Sequence, residues 1–124
     1  MANNAQFAAT PVIEIAQINT ANTNRDGTGT MSLVCAGPTA ASAVGVGKRI
    51  NRACVTSTVT TTAGVVRFFA SNDGGATRRL YTERLIPANT PGTTNTVIRY
   101  EIPELAGLVL PGAVSGVTSG LWAS

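Results

Sequence analysis

Val65-Val66-Arg67-Phe68-Phe69-Ala70-Ser71, then Asn72-Asp73-Gly74-Gly75, then Arg78-Arg79-Leu80-Tyr81-Thr82-Glu83-Arg84-Leu85-Ile86 is the stretch that decides the fold. Its first run is β-branched and aromatic, which suits the pleated, half-buried surface of a sheet. Asn-Asp-Gly-Gly supplies residues that tolerate left-handed backbone, the geometry of a tight hairpin. In the return run Leu80, Thr82 and Arg84 alternate with Tyr81, Glu83 and Leu85. That period of two is a strand signature. Phe68 and Phe69 are adjacent and so fall on opposite faces. One belongs to a core; the other meets a second sheet or an interface, and Phe69 is the interface candidate.

The same pattern continues outward from the hairpin. Val12 to Ile18 reads as a strand, with Ile13 and Ile15 on one side and Glu14 on the other. Asn19 to Gly29 is a long polar loop of Asn, Asp, Thr and Gly. Met31 to Ala36 is a second short strand, and Gly37 to Gly47 a small-residue loop. Arg49 to Thr60 is the longest strand expected, closed by a turn at Thr61 to Gly64. Pro87 to Thr94 is a loop, Asn95 to Ile102 a strand, and Pro103 to Ala106 one turn of helix. Gly107 to Leu110 is short and apolar, and residues beyond Pro111 alternate only weakly. Nowhere is a helical period sustained. Short strands with turn signals every 8–12 residues predict an all-β fold, an antiparallel β-sandwich. Jelly-roll topology is one option within that class. Residues 1–10 read as a flexible N-terminal arm and 11–124 as a single sandwich domain.

Composition narrows the function. Of 124 residues 44% are hydrophobic but only 12% charged, where soluble domains carry about 25%. Eighteen threonines, eighteen alanines and 13 glycines fill the gap. The apolar content excludes a disordered chain, and no apolar run reaches the ~18 residues of a membrane span. No signal-peptide pattern begins the sequence, so synthesis in a reducing cytosol is expected. A net charge of +3 comes from eight arginines and one lysine. They are scattered rather than gathered in a stripe with aromatics, so no nucleic-acid partner is expected. Arginine does suit fixed pairing with carboxylates at protein interfaces, and Arg78, Arg79 and Arg84 are candidates for it.

There is no histidine. Ser-His-Asp and Cys-His catalysis and His-ligated zinc are therefore excluded. The six acidic groups could serve glycoside chemistry only in a deep sugar cleft, and the chain has six aromatics in all. No enzymatic activity, cofactor, metal or small-molecule substrate is expected. Cys35 and Cys54 complete no standard metal site, and are expected to be buried free thiols, with an intrachain or interchain disulfide as the alternatives. Ser42 to Arg49 lacks the first glycine and final hydroxyl of a phosphate loop. Asp26-Gly27 lacks the ligand order of a calcium loop and reads as a turn.

The middle of the chain resembles a family of small structural proteins of tailed bacteriophages. The resemblance rests on Thr20-Ala21-Asn22-Thr23-Asn24-Arg25-Asp26-Gly27-Thr28-Gly29-Thr30, on Thr60-Thr61-Thr62-Ala63-Gly64-Val65-Val66-Arg67-Phe68-Phe69, on Ile86-Pro87-Ala88-Asn89-Thr90-Pro91 and on Leu108-Val109-Leu110-Pro111. It implies a β-sandwich virion component, first of all a capsid decoration (cement) protein that bridges major capsid protein subunits on the capsid exterior. A neck, tail or fibre-base position is the alternative, and a carbohydrate-binding module using Trp122, Tyr81 or Tyr100 a more distant one. Proteins of this kind continue past the Leu-Val-Leu-Pro segment into two further strand-like stretches, whereas this sequence ends at Leu121-Trp122-Ala123-Ser124. A shorter member, an incomplete sequence and a sheet completed by a neighbour all fit, and strand exchange or a homo-oligomer is expected. Trp122 joins the candidate interface residues, and Ala2 to Thr10 is expected to order on a neighbour.

Overall fold

The computed structural model describes residues 12–39, 47–113 and 116–124. The expected arm at residues 1–10 and most of the phosphate-loop-like segment lie outside them. Eight strands appear: β1 Ser32–Ala36, β2 Gly47–Arg49, β3 Cys54–Thr56, β4 Gly64–Ser71, β5 Arg79–Ile86, β6 Arg99–Glu101, β7 Val109–Pro111 and β8 Gly120–Ala123. A single 3-10 turn, Pro103–Leu105, is the only helical element among the described residues. The all-β antiparallel fold is the one the hairpin pattern predicts. Its strands divide into a four-stranded sheet ordered β1-β8-β4-β5 and two ladders, β2-β7 and β3-β6.

The hairpin β4-β5 runs from Gly64 opposite Ile86 to Ala70 opposite Arg79. Between Phe68 and Phe69 the register shifts, because Thr82 faces Phe68 while Leu80 faces Phe69. Tyr81 is thus the extra residue of a β-bulge, which bends and twists the strand. One face of the sheet contributes Cys35, Phe68, Leu121 and Ala123 to the core. The ladders and the 3-10 turn supply the other half: Ile102, Leu105 and Leu110, with Ile50, Ala53 and Val55 packed against them. Each such large side chain contributes about 1.5–3 kcal/mol by leaving water.

Four expectations are corrected. Arg49 to Thr60 is not one long strand; it is split into the ends of β2 and β3 by Ile50 to Ala53, where Ile50 and Ala53 instead bond Leu108, Gly107 and Ile102. Of residues 95–102 only β6 forms a ladder, flanked by single backbone bonds from Ser57 to Ile98 and from Ile102 to Ala53. Val12 to Ile18 lies outside every ladder. The weakly patterned C-terminal stretch, by contrast, forms β8 at the centre of the main sheet, between β1 and β4. Leu121 and Ala123 are buried there on one face and Trp122 is half-buried on the other. A strand covered on both faces has no polar side to alternate with, so its pattern fades.

Candidate interaction surface

The second face of the main sheet carries Arg67, Phe69 and Trp122, and among the described residues no further sheet covers it. The polar loop at 19–30 does so instead. Arg67 donates from Nη1 to the Asn22 carbonyl at 3.3 Å, and Arg78 donates from Nη2 to the Gly29 carbonyl at 3.4 Å. Arg25 and Arg67 both meet Glu83, at 3.0 and 3.3 Å. Within the loop the Asn22 amide bonds the carbonyls of Thr28 and Thr30, and Asp26 accepts from Thr28. These contacts explain the surplus of Asn, Asp and Thr: short side chains hold the loop closed by bonding its own backbone.

The hairpin tip is docked as well. Asp73 Oδ1 accepts from Ser71 Oγ at 2.6 Å and from the Thr77 amide at 2.9 Å. Hydrogen bonds from Ser71 and Thr77 hold the Asp73 carboxyl down at about 2. The Gly74 amide bonds the Thr118 carbonyl at 2.8 Å. Gly75, at φ +89°, packs against the Trp122 ring, where a Cβ would come within 2.7 Å of the indole.

This arrangement sorts the candidate interface residues. Phe69 is fully buried beside Trp122 and is not available to a partner, which corrects its assignment. Trp122 is committed to the tip glycine. Arg78 is half-buried under the loop. Arg84 is exposed and stands 4.0 Å from Glu104. Arg79 is exposed and makes no ion pair among the described residues. Tyr81, Tyr100 and Trp122 are spread over β5, β6 and β8, in two separate sheets.

The two cysteines are free, but only Cys35 is buried; Cys54 is exposed, contrary to expectation. In β3 the alternation turns Val55 to the core and leaves Cys54 and Thr56 outside. Burial first, then the hydrogen bond and charge of Glu14, push the Cys35 thiol up to about 12 against the pull of Lys48.

Apolar side chains also remain outward. Ile13 is 91% exposed and Ile15 87%. Val59, Leu85 and Val109 are also more than half exposed. β5 is an edge strand whose outer side has no backbone partner among the described residues. Two open grooves flank these features. One of about 460 Å³ lies between Asp73, Arg79 and Leu110, and another of about 520 Å³ between Thr20, Thr61 and Arg67. Among the described residues no three Cys, Asp or Glu side chains gather into a metal site, and no helix is long and apolar enough to cross a membrane. No protein-family model matches the chain, and comparison with curated proteins and with solved structures found no match.

Proposed function

We propose that this protein is a structural subunit of a tailed-bacteriophage virion, a decoration protein that binds and bridges the major capsid protein on the capsid exterior. The observation that carries the reading is the state of its surface charge. All six acidic side chains are engaged within the chain. Glu14, Glu83, Glu101 and Glu104 each meet a basic group, while Asp26 and Asp73 hold turns closed. Arg49, Arg79 and Arg99 are exposed and form no ion pair among the described residues. Asp26 and Asp73 keep their negative charge, so the unpaired charge among the described residues is positive on balance, and it is set among exposed Val, Ile and Leu. A surface of this kind fits an acidic, partly apolar protein face, because apolar area supplies affinity and opposite charge supplies orientation. The resemblance at Thr20 to Thr30 and Thr60 to Phe69 supplies the particular assembly.

The test is addition of purified protein to capsids that lack it. Saturable binding of hundreds of copies per particle is expected. A dozen copies or fewer per purified virion would move the protein to the neck or tail, and no binding to any virion part would refute the proposal.

A further inference from the structure

Val12 to Ile18 combines two features that do not ordinarily coexist. Its composition is that of a strand, yet it pairs with no strand among the described residues. It is nonetheless held in place. Lys48 Nζ bonds Glu14 Oε1 at 2.6 Å, and Ser32 Oγ bonds the Gln17 carbonyl at 2.5 Å. The segment thus rests beside β1, with Glu14 turned to its own subunit and Ile13 and Ile15 turned to solvent. Isolated apolar side chains at a surface are ordinary, but two isoleucines about nine-tenths exposed on a tethered, unpaired β-prone segment are an incomplete sheet. The complementary half lies at the other edge of the main sheet, where β5 offers an outer side with no backbone partner among the described residues and a Leu85 that is 66% exposed.

We infer that Val12–Ala16 of one copy is an added strand on the β5 edge of a second copy of this chain. One antiparallel register fits. It sets Val12 opposite Ile86, Ile13 opposite Leu85, Glu14 opposite Arg84, Ile15 opposite Glu83 and Ala16 opposite Thr82. Opposite residues share a face, so two apolar pairs and one ion pair form together. A shift of one residue in one direction places Glu14 against Glu83; in the other it places Glu14 against Leu85 and Ile15 against Arg84. Both lose the pairing, and register is set by such differences. The Tyr81 bulge ends the ladder after Thr82. Glu14 keeps Lys48 on one side and accepts Arg84 of the second copy on the other, since a carboxylate has room for both. Each copy gives one segment and receives another through different surfaces, which closes as a ring or a symmetric pair. The inference holds whichever assembly the subunit joins.

The experiment uses the full chain. Mass in solution is read by light scattering across a hundredfold concentration range, for the wild type and for a double variant, Ile13→Glu with Ile15→Glu. The wild type is expected to be an oligomer and the variant a monomer with an unchanged circular dichroism spectrum. A chain with Ile13→Cys and one with Leu85→Cys, of different tag lengths and both Cys54→Ser, are then mixed and oxidised. A disulfide joining the two tag lengths is expected, and it remains a test if the double variant fails to fold. A monomeric wild type, an oligomer that survives both glutamates, or an oligomer that forms without the mixed disulfide would each overturn the inference. Capsid binding is read separately, so loss of that binding alone leaves this result standing.

Discussion

Replacing Gly27 with alanine probes the loop that stands in for a second layer over Arg67 and Phe69. Gly27 has φ +88°, and a Cβ built there would overlap the Arg78 carbonyl oxygen. Left-handed backbone costs a residue with a Cβ about 1–2 kcal/mol. The overlap is with a backbone atom, which no rotamer change relieves, so the loop must move away from β5. That motion breaks the Arg25–Glu83 pair, whose partners are both more than a third exposed, so solvent screens it and it adds little. It also removes the Asn22 carbonyl from the buried Arg67, whose guanidinium then keeps Glu83 alone. A buried charged donor that loses its acceptor costs about 1–3 kcal/mol. The expected loss is therefore about 2–5 kcal/mol, against a total of roughly 5–15 for a small domain. Gly92→Ala is the control, since its Cβ would meet nothing within 4 Å; it should stay within about 0.5 kcal/mol of wild type. Urea unfolding followed by tryptophan fluorescence reads both. If Gly27→Ala lost less than about 1 kcal/mol at unchanged m, the loop would not be the cover described here.

Two further outcomes follow from the titrating groups. Iodoacetamide at pH 8 should label Cys54 and spare Cys35, whose raised pKa leaves roughly a thousandfold less thiolate than an ordinary thiol; equal labelling in native protein, read by peptide mass spectrometry, would contradict its burial. The Asp73 carboxyl is depressed from 3.8 to about 2, so its contribution is complete above the ordinary value and fades as pH falls towards 2. Asp73→Asn should flatten that part of the pH–stability curve, and an unaltered slope would show that the tip clamp does not form.

The hairpin was legible because its two signals are local. Alternation from Leu80 to Leu85 and the Asn-Asp-Gly-Gly turn both act within a few residues, and β4 and β5 appear where they predict. The 3-10 turn at Pro103 was legible for the same reason. β8 was not, because Gly120 to Ala123 is a strand through its neighbours on both sides rather than through its own pattern. The roles of Phe69 and Trp122 were hidden likewise. Adjacent phenylalanines show that one side chain must leave the core face; they do not show that a polar loop and a docked hairpin tip wait on the other. Cys54 was misplaced because the run from Arg49 to Thr60 reads as continuous, and only the break before Cys54 decides which of its residues turn outward.

The scarcity of charge takes on a structural meaning from these contacts. A domain that is one sheet thick on one side must cover that side with loop, and loop is held by short polar side chains rather than by apolar area. Thr, Asn, Asp and Ser do this work at 19–30 and at the hairpin tip, and the glutamates are spent on Arg25, Lys48, Arg52, Arg67 and Arg84. The glutamates that would help keep such domains apart in solution are thus paired within this one. Among the described residues the charges left without an ion pair are a few arginines and two aspartates, while Ile13, Ile15, Val59, Leu85 and Val109 remain outward. Low charge and outward apolar groups both lower the cost of bringing another surface close.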